Sequence, residues 1–441
     1  MVKPHLFIVF SLLCLFALSS QAKVTHTTVP PARIVWMSDN TGKFVSNPNH
    51  LLGTFSGQLS VSDTSYATLM SSDTHQASIL LDFGKEMYGR IKIFSAIREC
   101  KVPVRLRIRL GESVTEAMSD VNMPDNPQNP TNEHSLRDFT VSAPWLGSFQ
   151  CGNSGFRFAR IDLLDKDIKY NLRHVSAVSL IRDIEDKGSF CSDNERINQI
   201  WQTGAYTVKL NMQEYLWDGI KRDRLVWVGD MHPEVMTINN VFGEQEVVYK
   251  SLDFARDDTP FPGWMNGMCS YSLWWIIIQK DLYMYQGNLD YLKSQRDYLL
   301  RLVKQIDERI DENGVERLDG IRFLDWPTSE NQNVIHSGLQ SLSFMAMKAA
   351  VQIGEYIGDR DMIRMASSCL ERMKGVAVDA RRRHAFERRF GPHGGREDLG
   401  NVEHPRRGGL RRRFAGGTAA LVLHLVADVP LFSCRNGYIA Y

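Results

Sequence analysis

The alternation of apolar and polar positions changes period near residue 190. From Lys23 to about Asp186 the texture is that of strands. ASILLDFG (77–84), GRIKIFSAI (89–97) and VPVRLRIRLGE (102–112) are short runs rich in β-branched residues, partly alternating and broken by Gly, Asp and Pro. In VRLRIRLG the apolar residues alternate with arginines, which predicts a strand with one wet face. MPDNPQNPTNEH (123–134) is a loop by composition, and GFRFARIDLL (155–164) returns to strand. Strands at this spacing, with no helical stretch between them, predict a β-sandwich over 23–186.

After Cys191 the helical period takes over. SDNERINQIWQTGAYTVKLNM opens with Ser192 and Asp193 as N-cap candidates and Glu195 three residues after Ser192, a capping-box pattern. Further helices are predicted at about 231–243, 246–256, 270–286, 289–311, 336–357 and 359–374. Gly287-Asn288, Glu312-Asn313-Gly314 and Gly358-Asp359 punctuate them. Successive helices with no intervening strand predict an α/α array over 190–374; periodicity leaves a toroid, a solenoid and an irregular bundle open.

The 441 residues are enough for two or three domains. A formal net charge of +1, with no basic grouping before residue 380, argues against nucleic acid as a partner. Lys3, the apolar run LFIVFSLLCLFAL and the small residues at Ser20-Gln21-Ala22 read as a cleaved export signal over 1–22. The run is short for a membrane span, so the expectation is a periplasmic or extracellular protein with no stable span after cleavage. Cys100, Cys151, Cys191, Cys269, Cys369 and Cys434 are widely separated and show no metal-ligand spacing. Buried free thiols are expected, with no metal and no cofactor.

The chemistry concentrates in WDGIKRDRLVWVGDMHPE (217–234). Gly229-Asp230 would end an irregular connection and cap the helix beginning MHPEV, with Pro233 in its first turn. Asp218, Asp223, Asp230 and Glu234 then lie on or beside a connection between helices, where sites are commonly built. Trp217 and Trp227 are flat apolar plates of the kind that stack on sugar rings. The plainer alternative is an ion pair of Asp223 with Arg222 or Arg224, a capping Asp230 and core tryptophans.

WDGIKRDRLVWVGD resembles the signature of bacterial α-L-rhamnosidases, family 78 of the glycoside hydrolases, roughly Asp-Cys-Pro-x-Arg-Glu-x-x-Gly-Trp-x-Gly-Asp. Asp218, Arg222, Trp227, Gly229 and Asp230 match it at the family's spacing. Gly219-Ile220 stand in place of Cys-Pro, Val226 in place of Gly, and Asp223 where the family has its general-acid glutamate. LLDFGKEMYGRIKI, VRLRIRLGES and GFRFARIDLL resemble the preceding sandwich. PGWMNG (262–267), SLWWIIIQKDLYMYQGN (272–288) and RFLDWPTSEN (322–331) resemble segments of the family's helical toroid, so the likeness spans about 75–370.

The resemblance implies a multidomain β + α chain, an N-terminal β-sandwich followed by an incomplete (α/α)6 toroid, and inverting hydrolysis of terminal α-L-rhamnosides. One carboxylic acid protonates the leaving oxygen while a second carboxylate, roughly 6.5–9.5 Å away, activates water. By carry-over Asp223 is the acid, Asp218, Arg222 and Asp230 bind the sugar, and Trp227 packs on its apolar face. Asp325 and Trp326 are further substrate contacts, and the partner is an oligosaccharide or rhamnoside. The family's base is a glutamate from a late toroid helix.

After Lys374 lysine disappears and arginine crowds the chain in ARRRHAFERRFGPHGGREDLGNVEHPRRGGLRRRF. The expectation is a shifted reading frame entering near residue 375 and replacing the second half of the toroid over 375–441, with loss of the base. Two alternatives stand beside the hydrolase: a carbohydrate-binding protein without turnover, and an α/α-toroid polysaccharide lyase, against which the density of carboxylates speaks.

Overall fold

The structure, a computed structural model, describes residues 23–97, 102–120 and 136–390. The export signal, the loop at 123–134 and residues 391–441 of the expected out-of-frame tail lie outside the described residues, as do Cys100 and Cys434. The chain forms two compact units, the first ending at Ser251 and the second beginning at Leu252.

In the first unit, β1 (Val24–Val29), β2 (Arg33–Met37), β3 (Val45–Ser46), β4 (Ala67–Met70), β5 (Ser78–Ser95), β6 (Val104–Gly111), β7 (Asp138–Ala143), β8 (Gly147–Leu163) and β9 (Lys169–Arg182) form an antiparallel sheet. Its path is β3-β4-β9-β5-β8-β6-β7, with β1 on β9 and β2 on β5. The two strands predicted at 77–84 and 89–97 are one strand, β5, which bends where Gly84 takes a φ of 89°. Before the bend Ser78–Asp82 pair with β2 and the end of β8; after it Met87–Ser95 pair with the start of β8 and, from Gly89, with β9. The bend lets one continuous sheet serve both layers of a sandwich. Ile79, Leu81, Ile91, Ile93, Leu106, Ile108, Ile161, Leu163, Leu172 and Val175 fill a common core. In β5, β6 and β8 their spacing follows the two-residue period of a strand, which β9 breaks between Leu172 and Val175, where its register with β5 shifts.

The wet face predicted for VRLRIRLG fades along β6. Arg105 is exposed, but Arg109 is only 4% exposed. A short helix, α1 (Val114–Met118), packs over this end of β6, and Arg109 is paired there to Asp162 (3.0 Å) and Asp120 (3.1 Å).

The helices are α2 (Glu195–Asn211), α3 (Val228–Val241), α4 (Glu246–Asp257), α5 (Cys269–Gln286), α6 (Leu289–Ser294), α7 (Arg296–Asp307), α8 (Gln332–Ile357) and α9 (Arg360–Phe390). The cap of α2 is Asn194, whose side chain accepts from the amides of Arg196 and Ile197. The expected capping residue Ser192 instead binds Asn198. The single helix expected over 289–311 is two, divided at Gln295, whose buried amide is held by Asp253 and Arg256. Gly287 and Gly358 terminate α5 and α8 in the left-handed conformation, as their positions predict. The backbone of α9 continues as helix beyond Lys374 to Phe390.

In the second unit α5 is buried nearly all round and packs against α8, which packs against α9. Trp264, Trp274 and Trp275 are all buried, so each serves the core. The indole of Trp275 donates to the Leu252 carbonyl at 3.1 Å and that of Trp264 to Asp319 at 2.7 Å. Cys269 and Cys369 are buried free thiols and Cys151 is half-buried, whereas Cys191 is exposed. No helix among the described residues is long and apolar enough to cross a membrane.

Candidate functional site

The segment from Met212 to Trp227 leaves α2 and enters α3, and it is tied down at both ends. Near its start, the Arg182 guanidinium on β9 donates to the carbonyls of Met212 (3.1 Å) and Gln213 (3.0 Å). The Leu216 amide donates to the Ser251 hydroxyl at 2.8 Å. Trp217 then packs edge-on to Tyr88 of β5, with ring centroids 5.5 Å apart, in an apolar cluster with Leu210 and Ile220. Half-buried there, Trp217 anchors the segment to the sandwich.

Asp218 closes the loop. Its amide donates to the Leu225 carbonyl (3.1 Å) and its Oδ1 accepts from the Leu225 amide (2.9 Å). Between these clamps Asp223 and Arg224 both take positive φ, 50° and 58°. Neither is glycine, and two such residues in succession carry a conformational cost that the loop's contacts must hold in place. Asp223 accepts from Arg222 Nε at 3.2 Å, and Arg224 donates to the Asn153 carbonyl at 2.8 Å.

Helix α3 starts at Val228, earlier than the pattern predicts, with Trp227 at the cap position. Asp230 is therefore no cap. It lies in the first turn, where the helix dipole favours a negative charge, and Pro233 falls in the second turn. Glu234 follows four residues after Asp230 on the same face. It is buried and accepts from Asn211 Nδ2 of α2 at 2.7 Å. Its other oxygen is buried without a hydrogen-bond partner among the described residues.

These carboxylates feel one another. Burial first, with Asp223 and Asp230 nearby, pushes the Asp218 carboxyl up to about 6 against a favourable bond from Leu225. Burial of its inner side, with Asp223 adding to it, pushes Asp230 up to about 6, although its outer side is open to solvent. Burial lifts Glu234 well above the usual carboxylate range, with Asp230 and Asp218 adding to the effect. The cluster can thus hold protons near neutral pH while presenting acceptors to hydroxyl groups.

The first unit brings together Asp218, Arg222, Asp223, Trp227 and Asp230 on one loop and one helical turn. Asn211 and Glu234 complete the cluster. Glu234 is marked in sequence by its four-residue spacing from Asp230; Asn211 carries no signal beyond its place in the last turn of α2.

In the second unit Asp325 is buried and caps the short helical turn Trp326–Thr328, its Oδ1 accepting from the Thr328 amide at 3.0 Å and hydroxyl at 2.6 Å. Trp326 is 76% exposed and lies edge-on to Phe323. Glu316, fully buried, accepts from Arg322, the Leu318 amide and His336, and the Arg322 bonds help hold its carboxyl below the usual range. His336 thus supports a buried carboxylate. His232 is buried within α3. No group of His, Cys, Asp and Glu among the described residues forms a metal site.

An antiparallel β domain followed by a helical domain, here with a carboxylate cluster at the first connection between helices, is the arrangement seen in the rhamnosidase structures that the chain resembles. Residues 185–363 match the family described as the bacterial alpha-L-rhamnosidase 6 hairpin glycosidase domain. Among solved structures, the chain is similar to a rhamnosidase from Klebsiella oxytoca with rhamnose bound. The identity is 17% and the TM-score 0.64, over 82% of this chain and 71% of that one. It is also similar to a family 78 rhamnosidase of Bacillus sp. GL1, at 18% identity and a TM-score of 0.60, over 76% of this chain but only 34% of that one. No curated protein matches the chain in sequence.

Proposed function

We propose that the loop 217–227 and the first turns of α3 form the sugar site of a glycoside hydrolase acting on terminal α-L-rhamnosides, with inversion, in an exported protein. The observation that carries this reading is the cluster of Asp218, Asp223, Asp230 and Glu234 on one loop and the first turns of α3, in which burial raises the carboxyls of Asp218, Asp230 and Glu234. The rhamnose held by the similar Klebsiella oxytoca rhamnosidase supports the choice of sugar.

Asp223 is the proton donor in this reading. It stands at the outer turn of the loop on a backbone pinned at Asp218 and Leu225. Asp218 and Asp230 accept from sugar hydroxyls, Arg222 orients Asp223, and Trp227 offers an apolar face. The second carboxylate that inversion requires is a partner to Asp223, roughly 6.5–9.5 Å distant to admit water.

A second reading, binding without turnover, draws on the side chain at 223. Aspartate is one methylene shorter than glutamate, and misplacement of about 1 Å can cost roughly a hundredfold in rate. Hydrolysis of p-nitrophenyl α-L-rhamnopyranoside and calorimetric binding of L-rhamnose separate the two, each measured on the wild type and on Asp223→Asn. A hydrolase loses about 10²–10⁴-fold in turnover in the variant while keeping its affinity for rhamnose. A chain that binds rhamnose equally well in both forms and turns over neither supports the binding module. A wild type that neither binds nor hydrolyses removes the sugar site altogether.

A further inference from the structure

Beside the bond from Arg224 to the Asn153 carbonyl, the acidic loop is propped from the sandwich side by a buried lysine. Lys221, two residues before Asp223, donates to Glu112 Oε2 at 2.7 Å and to Glu116 Oε1 at 3.0 Å, and its side chain is only 11% exposed. Glu112 lies in the turn after β6 and Glu116 in α1, which follows it.

The acceptor side is rigid. The Glu116 amide donates to Ser113 Oγ, capping α1, and Glu116 Oε2 accepts from the Glu112 amide. The fully buried guanidinium of Arg137 donates to the Glu116 carbonyl at 3.0 Å. Gly111, just before this turn, has no room for a side chain, since a Cβ there would lie 2.5 Å from the Ala117 amide nitrogen.

The loop side is equally confined. Ile220 is buried with Tyr88, Leu210 and Trp217. A Cβ at Gly155 of β8 would lie 2.7 Å from Ile220 Cγ1 and 3.2 Å from Lys221 Cβ, so the glycine admits the loop's close approach. Glu86 of β5 faces the same seam. Burial, with Glu112 and Glu116 adding to it, pushes its carboxyl up to about 8, leaving Lys221 to answer two anions rather than three at neutral pH.

We propose that Lys221 is a positioning residue, which through Glu116 and Glu112 holds the loop carrying Asp218 and Asp223 at a fixed height over the sandwich. The β-sandwich is then a working part of the sugar site. This rests on the functional reading above only in naming what the loop carries; the tether itself is independent of it. The packing of Ile220 sets where the loop touches the sheet, and the two charge-assisted bonds stop the segment beyond it from peeling away. Position 223 sits in a left-handed turn that Arg224 ties to the Asn153 carbonyl on its far side, so Lys221 fixes its near side and displacement of Lys221 tilts the carboxylate.

Amide hydrogen exchange on the full chain tests this without any ligand, using Lys221→Met, Lys221→Arg, Glu116→Gln and the double variant Lys221→Met/Glu116→Gln. The amides of residues 217–226 are expected to exchange about tenfold faster in Lys221→Met and in Glu116→Gln, while β6 and α3 keep wild-type protection. The double variant is expected to be no faster than either single one, because the two residues form one tether. Lys221→Arg restores protection.

On p-nitrophenyl α-L-rhamnopyranoside the same tether predicts a fall in kcat of about tenfold in Lys221→Met with KM nearly unchanged, and recovery in Lys221→Arg. Unchanged loop exchange in Lys221→Met overturns the proposal. So does exchange that rises across the sandwich as a whole, or that arginine fails to restore, since Lys221 would then be a general prop of the fold. A wild type without rhamnose binding or hydrolysis removes the functional reading, while loop exchange still decides the tether.

Discussion

Asp218 and Asp230 keep their protons into a pH range where free aspartates have lost them, and this has a sign. The folded carboxyl of Asp218 titrates at about 6, against an ordinary 3.8. Between these values the folded state binds more protons than the unfolded one, so stability falls as pH rises from about 4 to 6 and stays lower above. Asn at position 218 keeps an oxygen for the Leu225 amide and removes the charge. Asp218→Asn is therefore expected to stabilise the protein at pH 7.5 by on the order of 1 kcal/mol, short of the ~3 an unscreened shift would give because the group is partly open to solvent. At pH 4 the gain should nearly vanish. Urea unfolding at both pH values measures it; an equal gain at both would mean the proton is not held where the cluster places it. If the proposed sugar site holds, rhamnose affinity should meanwhile weaken, because Asp218 there accepts from a sugar hydroxyl.

At the scale of elements, the local rules worked where one signal dominated. Glycine after an apolar period ended α5 and α8 at Gly287 and Gly358. They failed where two signals competed. Asn194 displaced Ser192 and Asp193 as the cap of α2, and all three are good caps, so which one the chain uses depends on where Ser192 finds Asn198. The start of α3 was hidden because Gly229 and Pro233 read as boundary residues, yet both lie inside the helix. The same misplacement put Glu234 in the first turn; with α3 starting at Val228 it falls in the second, buried. The bend in β5 at Gly84 reads locally as the gap between two strands.

The turn at Asp311–Val315 gives a prediction of the same scale. Gly314 has a φ of 79°, and a Cβ on it would fall 2.1 Å from the Arg372 carbonyl oxygen of α9. Gln340 of α8 donates to the Gly314 carbonyl at 2.8 Å, so the turn is held between two helices. Gly314→Ala should cost about 2–4 kcal/mol in urea unfolding. Gly314→Asn, which tolerates the left-handed backbone, should rescue little, because the clash with α9 remains. Full rescue by asparagine would show that backbone strain alone sets the requirement.

At the scale of the molecule, charge separates a neutral sugar from an acidic one. The whole chain carries a net charge of only +1, and the loop 217–227 with the start of α3 concentrates four carboxylates. A toroid that cleaves uronate polymers must gather cations around its substrate, and its binding weakens as salt screens them. A rhamnoside carries no charge, and its hydroxyls bond to carboxylates at distances well inside the Debye length. The affinity for L-rhamnose is therefore expected to change by less than about twofold between 50 mM and 500 mM sodium chloride. Calorimetric titration over that range checks it, with a uronate disaccharide as the comparison ligand. Salt-insensitive binding of rhamnose and none of the uronate is the outcome the acidic loop requires. Uronate binding that falls steeply with salt would place the ligand against cations elsewhere on the chain, and the cluster at 218–234 would then serve to order α3 rather than to hold a sugar.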